Sequence, residues 1–371
     1  MQLFFIDPQS YNNLSVYDTS LLAAIEGCDT RYYHNVKYQC ERLPEVDYCG
    51  VFRYSDLSGV AKAASYTASI VRIAFDAIRH RPQVAHIQWF RLFPVYCLLV
   101  MLLRCLGVKI VYTAHNVMPH NPRKSDRKHY AWYYRHADEI IVHTQRSKDE
   151  LSRDFAIPAE KIHVVFHGIM PSTTDGEAVA QRTKELQALL GADGRKLVFA
   201  SMGYQNRYKG IDIIAEVWSR EEFRCNPDVM LLVVGKVEHA DISGLRKYPN
   251  VVVVDQMTSD VDFAAYMLMA DVVLLPYRRI SQSGVLLTAL GREIPVLVSD
   301  VGGLPEPLSV AEVGWNIGKP TADNLAQTMT MLVENPQLAI DTKRNRRAFS
   351  AVKEAYSWST IGRKTMEVYK G

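Results

Sequence analysis

Several things are missing from this chain, and each absence removes a class of protein. Its six cysteines (Cys28, Cys40, Cys49, Cys97, Cys105 and Cys225) are scattered over 371 residues with no C-x-x-C pair, so neither a zinc site nor a disulfide framework is implied. There is no Gly/Ser-, Gln/Asn- or Pro-rich tract and no repeat of solenoid length, which excludes a disordered chain or a repeat array. The longest apolar run, Leu92 to Leu103, contains Pro94 and ends at Arg104. It falls well short of the ~20 residues of a spanning helix, and a buried helix is expected. The opening MQLFFIDPQSY has no basic stretch leading into an apolar one, so export is not expected. A formal net charge of +3 is too small to point to nucleic acid. The sequences G-x-x-x-x-G-K-[ST], G-x-S-x-G, H-E-x-x-H and G-x-G-x-x-G are all absent, which argues against phosphate-binding-loop ATPases, α/β hydrolases, zincins and dehydrogenases.

What is present fits two α/β domains, since 371 residues that are 48% apolar exceed one ordinary core. Short apolar runs (MQLFFID, VAHIQW, VKIVYTAH, DEIIVHT, KIHVVFHG, then LVFASMGY, VMLLVVGK, VVVVDQ, DVVLLPY and IPVLVSD) alternate with helical patterns and lack hairpin turns. Among the helices, Ala61 to Arg79 places Val71, Ile73, Ala74 and Ile78 on its apolar side, and a second runs from Val95 to Leu106. Such alternation implies parallel pairing through crossovers. The expected fold is α/β, with two Rossmann-like doubly wound parallel-sheet domains facing a cleft. Residues 1–175 form the first domain and 190–350 the second, and the C-terminal helix of 351–371, with Trp358 as anchor, packs back on the first.

Ligands of such sheets sit beyond the carboxyl ends of the strands. After DVVLLPY come Arg278 and Arg279, then Ser281, Gln282, Ser283 and Gly284 at the start of an apolar helix. Free amides there suit an anion, although an ordinary serine cap explains the same residues. After LVFASMGY, a loop with Arg207 and Lys209 precedes Gly210, and these cations can meet a diphosphate or simply be solvated. VKIVYTAHNVMPHN places His115 and Asn116 directly after a strand, with His120 beyond. His115 at that terminus can serve as a hydrogen-bond partner or general base. His86, His143 and His167 read as structural. Finally, Arg123, Lys124, Arg127, Lys128 and Arg135 are interleaved with Tyr130, Trp132, Tyr133 and Tyr134, a pattern suited to an anionic lipid interface or to a solvated helix with one packed aromatic face.

Taken jointly, VYTAHNVMPH, EIIVHTQRSKDEL, KIHVVFHG, GYQNRYKGID, ADVVLLPYRRISQSGVLLTAL and IPVLVSDVGGLPE resemble the family-four, retaining glycosyltransferases of the two-Rossmann-domain B fold, over most of the chain. The resemblance implies that Lys209, with Arg207 or Asn206, holds the donor diphosphate. It further implies that Gly203 and the stretch Gln282, Ser283, Gly284, Val285 and Thr288 face the donor, with Met257 in the loop Asp255 to Thr258 where the base rests. His115 would lie by the transferred sugar, with Tyr11, Asn12 and Asn116 on the acceptor side, and His167 with Gly168 would be a structural pair at the domain junction. The family's two glutamates in the donor segment are replaced: Gln282 or Ser281 stands near the first position and Thr288 at the second, and Glu293, five residues further on, reads as a solvated helix-end charge or as a substitute.

The implied activity is transfer of a hexose from a UDP- or GDP-linked sugar to a hydroxyl of a glycan or lipid-linked acceptor, with retention, in polysaccharide or glycolipid biosynthesis. No metal and no other cofactor is expected, since side-chain cations can meet the charge of the diphosphate. The expected location is cytoplasmic, at the inner face of the cell membrane, with peripheral contact and no nucleic-acid partner. Two alternatives are a non-hydrolysing sugar-nucleotide epimerase and a catalytically silent sugar-nucleotide-binding protein.

Overall fold

The computed structural model describes all residues except 12, 120–122, 173 and 192–196, and the side chain of Asn13 is likewise not described. It divides the chain into two compact units, one of Met1–Gly168 with Tyr356–Gly371 and one of Ile169–Ala355. The helix Gly176–Leu190, which bridges the two expected domains in sequence, therefore belongs to the second unit. The C-terminal excursion back to the first starts at Tyr356.

Each unit is built on one parallel sheet. In the first, β1 (Gln2–Asp7), β2 (Asp29–Asn35), β3 (Val46–Phe52), β4 (Val84–Ile87), β5 (Lys109–Ala114), β6 (Glu139–Val142) and β7 (Ile162–Val164) lie in the order β3-β2-β1-β4-β5-β6-β7. In the second, β8 (Leu197–Met202), β9 (Val229–Val234), β10 (Val251–Val254), β11 (Val272–Leu275), β12 (Val296–Val298) and β13 (Gly314–Asn316) lie in the order β10-β9-β8-β11-β12-β13. Strands such as VMLLVV in β9 are buried along their whole length, which is why they read as unbroken aliphatic runs rather than alternating ones. In both sheets the order reverses once, between β1 and β4 and between β8 and β11. The loops leaving adjacent strands there turn to opposite faces and leave a crevice at the carboxyl ends.

β2, β3 and β13 have no aliphatic run to announce them. β2 is DTRYYHN, and its tyrosines are buried because their hydroxyls find carboxylates: Tyr32 donates to Asp18 at 2.5 Å and Tyr33 to Asp76 at 3.2 Å. The helices of the first unit also depart from expectation. The helix Gly59–His80 buries Ile70, Ile73 and Ala77 but leaves Val71 and Ile78 in solvent. The helix Phe93–Cys105, expected to be buried, buries only Tyr96, Leu99, Val100 and Leu103 and exposes Leu98 and Met101. Among the described residues no helix is long and apolar enough to cross a membrane.

The C-terminal helix Trp358–Lys370, capped by Ser357, packs against the helix Asn13–Ala24 of the first unit. The contact is so close that a Cβ on Gly362 would lie 2.1 Å from the Ala24 carbonyl oxygen. Gly362→Ala should therefore push the helices apart and destabilise the protein by about 1–3 kcal/mol, the usual cost of overpacking, measured as a lower denaturant midpoint.

Candidate functional site

In the second unit, the two loops flanking the strand-order reversal are tied together by their backbones. β8 ends at Met202, and Gly203 turns the chain with φ +79. A Cβ placed on Gly203 would stand 3.3 Å from Lys209 Nζ and 3.3 Å from Val285 Cγ2, so three of the residues expected at the donor converge there. The buried Gln205 braces this turn, its amide donating to the carbonyls of Ser201 at 3.0 Å and Gly203 at 2.9 Å and its oxygen accepting from the Ser201 hydroxyl at 2.8 Å. The Asn206 side chain accepts from the Lys209 amide at 3.2 Å and caps the short turn Arg207–Lys209. Gly210, at φ +78, then passes so near the end of β11 that a Cβ would be 2.2 Å from the Pro276 carbonyl oxygen. No L-residue with a side chain fits that passage.

Lys209 is half-buried and no carboxylate pairs with it among the described residues. Its ammonium lies 5.6 Å from the centroid of the buried Tyr277 ring, and burial lowers its pKa to about 8. The Tyr277 hydroxyl is itself buried beside Ser283 without a hydrogen bond, and burial raises its pKa. A desolvated, unpaired cation of this kind is stabilised by any anion that reaches it. Ser283 caps the helix Gly284–Gly291 by accepting from Leu286 N at 3.2 Å, leaving the first amides of that helix, at Gly284 and Val285, without intrahelical acceptors. Gly284 faces open space. Thr288 donates its hydroxyl proton to the Gly284 carbonyl at 2.8 Å, so what it offers outward is lone pairs only.

The arginines have other occupations. Arg278 forms a bidentate pair with Asp212, at 2.6 and 2.9 Å, and also donates to the Arg207 carbonyl at 2.6 Å. It clamps the two loops to each other. The Arg207 side chain is 77% exposed, 4.0 Å from Asp212, and Arg279 is exposed. Glu293 is not a free carboxylate, since it receives Lys353. Gln282 is half-buried beside the capping serine. Met257 is exposed on the loop after the edge strand β10, two strands removed from Gly203.

In the first unit, His115 is one member of a chain of imidazoles. Its Nε2 lies 2.8 Å from Gln88 Oε1 and its Nδ1 lies 3.1 Å from His143 Nε2, while its ring stacks on Trp89 at 4.9 Å. The Gln88 amide nitrogen reaches His86 Nε2 at 3.1 Å, and His86 also meets Tyr369 and Thr113, at 2.6 and 2.7 Å. Tyr17 packs edge-on or tilted against His115, His143 and His167. Burial lowers the pKa of His86 and His143 to about 3, and burial plus the neighbouring histidines holds His115 well below the usual imidazole range. All three are therefore neutral at pH 7. His143 Nδ1 must carry its proton, because it faces the Val165 carbonyl at 2.9 Å. His143 Nε2 then accepts from His115 Nδ1, and His115 Nε2 becomes an acceptor. The neutral chain thus asks the Gln88 amide to turn its nitrogen toward His115 and its oxygen toward His86, since the two ends of an amide are interchangeable by a flip.

Both His115 ring nitrogens are consequently engaged within the protein, and Asn116 follows half-buried. Tyr11 is half-buried at the carboxyl end of β1, where its amide donates to the Gln9 carbonyl at 2.7 Å. Asn12 and His120 lie outside the described residues. Gly168 is needed by packing: a Cβ there would lie 2.4 Å from the Trp358 indole. Among the described residues no group of three or more His, Cys, Asp or Glu side chains is placed to hold a metal ion. Gln88, Gln205 and Tyr277 escaped the sequence reading; the only signal for the two glutamines was a polar residue at or just beyond the end of a buried strand.

Two Rossmann-like units in one chain, each a parallel sheet with one strand-order reversal, are the architecture of the glycosyltransferase B fold. The comparisons agree. A model described as Glycosyltransferase Family 4 matches residues 34–173 and one described as Glycosyl transferases group 1 matches residues 194–335. The chain is 23% identical to the alpha-D-kanosaminyltransferase of Streptomyces kanamyceticus over 64% of its own length and 63% of that protein's. With the alpha-maltose-1-phosphate synthase of Mycolicibacterium smegmatis it shares 25% identity over 71% of its own length and 73% of the relative's. Among solved structures, sucrose-phosphate synthase from Thermosynechococcus elongatus superimposes with a TM-score of 0.72 at 18% identity, covering 100% of this chain and 98% of that one. Anabaena HepE in complex with UDP gives 0.68 at 14% identity, covering 99% of each. Across both units the chain resembles the family-four glycosyltransferases.

The buried neutral histidines set an acid limit. Their folded pKa values lie below the unfolded value, so the unfolded chain binds more protons and stability falls as pH drops from about 6.5 towards about 3. Acid titration followed by circular dichroism should show this loss, and His86→Gln should shift its midpoint downwards relative to the unsubstituted protein.

Proposed function

We propose that this glycosyltransferase moves a hexose from a nucleoside diphosphate sugar, UDP- or GDP-linked, to a hydroxyl of a glycan or lipid-linked acceptor, with retention and without a metal. The observation that carries the reading is the unpaired, desolvated Lys209 ammonium beside Gly203 and Val285 at the strand-order reversal. In the reaction the bond from the sugar's anomeric carbon to the diphosphate breaks, and its electron pair goes to the diphosphate oxygen. The acceptor oxygen bonds to that carbon on the face the diphosphate leaves, and its proton passes to the departing diphosphate. Charge grows on the leaving group, so a fixed cation and free helix-start amides lower the barrier without reorganising. Thr288, as an acceptor only, takes a hydrogen bond from a ribose hydroxyl where relatives use a carboxylate. UDP-glucose, bound in a HepE structure, is the first donor to test, with UDP as the matching ligand for binding. The acceptor side is assigned to the first unit, with His115 held in place by Gln88, His143 and Trp89 and acting by position. The acceptor is reached at the inner face of the cell membrane, through peripheral contact.

Lys209→Ala should weaken donor binding by about 1.5–3 kcal/mol, the range for a charge-assisted contact, in calorimetric titration with UDP and GDP. Unaltered affinity would remove Lys209 from the site. Because the free lysine titrates near pH 8 and a bound diphosphate raises that value, affinity should fall as pH rises through about 8 to 10. Lys209→Arg should flatten this dependence. His115→Ala should lower turnover while leaving nucleotide affinity within about twofold, since it removes positioning in the other unit.

A further inference from the structure

The interleaved basic and aromatic helix Asp126–His136 does not turn its rings outward. Tyr133 and Tyr134 are buried, Trp132 stacks on His136 at 3.9 Å, and the Tyr134 hydroxyl donates to the Val117 carbonyl at 2.7 Å. What it shows to solvent is Arg127, Lys128 and Arg135, with Arg123 and Lys124 just before it. The apolar surface lies on its neighbours. The helices Gly59–His80, Phe93–Cys105 and Asp126–His136 pack side by side in that order and cover one face of the first sheet.

The outer side of the first of these helices runs Val60, Ala64, Ala68, Val71, Phe75 and Ile78, with Val60 86% and Phe75 61% exposed. The outer side of the second carries Leu92, Leu98 and Met101, with Leu98 72% exposed. So much exposed aliphatic and aromatic surface on two adjacent helices needs a partner. The charge pattern says which. Between Asp56 and Asp126 the only acidic residue is Asp76, and it is buried. Over the same stretch the exposed ionisable groups include Arg72, Arg79, Arg91 and Arg104, continued by the cations of the third helix.

We infer that this three-helix face is a docking surface for an anionic lipid bilayer, in which Val60, Val71, Phe75, Ile78 and Leu98 enter the interface and the arginines meet lipid phosphates. The inference deepens the membrane reading above and rests on it. An apolar ridge rimmed by cations, where the carboxylates of Asp76 and Asp138 are each paired with an arginine, Arg72 and Arg104, is complementary to an anionic headgroup layer. A second copy docking the same face would bring two cationic rims together. Among the described residues no helix can span, so the contact is peripheral.

The test is flotation of the purified full chain with vesicles of equimolar phosphatidylglycerol and phosphatidylcholine, alongside vesicles of phosphatidylcholine alone. The wild type should float with the anionic vesicles and bind the neutral ones at least ~10-fold more weakly. Phe75→Ser with Leu98→Ser should reduce anionic binding by ~10-fold or more, and Arg79→Gln with Lys128→Gln should reduce it and weaken its salt dependence. These residues are exposed, and unchanged UDP affinity and circular dichroism will show that the variants are folded. Absence of wild-type flotation, or equal flotation of the serine variant, overturns the surface. Self-association in sedimentation that the serine variant abolishes, without vesicle binding, assigns the face to a second copy and overturns it too. Donor affinity and turnover on a soluble glycan acceptor are read separately, so failure of this surface leaves the transferase reading standing, and the converse also holds.

Discussion

The constraint on which this structure depends is parallel pairing of short strands that are buried on both faces. Parallel neighbours cannot be joined by a tight turn, so every strand is followed by a crossover, and helices cover both sides of each sheet. A chain that begins in the middle of a sheet and builds outward must reverse direction once, at β1/β4 and at β8/β11. That reversal is the one place where adjacent loops diverge, and polar groups there face a crevice instead of a helix. Lys209 and Ser283 stand on the two loops flanking the reversal in the second unit. Tyr11 and Trp89 have the equivalent positions in the first.

Topology alone would leave those loops loose. In the second unit they are drawn tight by backbone contacts that exclude a Cβ at Gly210 and by the Arg278–Asp212 pair with its bond to the Arg207 carbonyl. The charge left over is Lys209. Of the three cations nearest the crevice, one is spent on architecture, one is solvated, and the third is held half out of water with no counterion. Burial costs the lysine part of its basicity, and a diphosphate would restore it. The same economy governs Ser283 and Thr288: their side chains serve the helix, so what faces outward is amide donors from the first turn and a hydroxyl oxygen from the second.

Much of the framework was legible in the sequence, because both-face burial writes itself as aliphatic runs. The strands VMLLVV and VVLL, buried along their whole length, are such runs. β2 was not legible, since its core residues are tyrosines whose burial depends on Asp18 and Asp76 many residues away. The helices Gly59–His80 and Phe93–Cys105 misled for the opposite reason. Both carry apolar residues on the solvent side as well, so apolar type alone does not say which residues face the sheet, and Val71 and Ile78 are exposed while Ile70 and Ala77 are buried. The strand-end motifs drew attention to Gly203, Lys209 and Ser283, which the structure places on the two loops flanking the reversal. Which cation stays unpaired was not legible, because it is decided by Asp212, two residues beyond a glycine and facing an arginine 66 positions on.

The histidines show most sharply why residue type underdetermines role. In sequence the four strand-end or loop imidazoles are isolated, and only the position of His115 directly after a strand sets it apart from His86, His143 and His167, which read as structural. In the fold, His86, His143 and His115 become one hydrogen-bonded line whose polarity is fixed at its far end by a carbonyl that can only accept. A neutral imidazole has one donor and one acceptor nitrogen, so fixing His143 fixes His115, and fixing His115 fixes the orientation of Gln88. No member of the line can change its proton position alone. Burial keeps all of them uncharged, and the Trp89 ring lies flat on His115. The result is a rigid, neutral strand end, suited to holding a hydroxyl-bearing ligand at a defined distance and poorly suited to taking its proton. The two units thus differ chemically: among the described residues the second holds an unpaired ammonium at its strand-order reversal, and the first a line of neutral imidazoles.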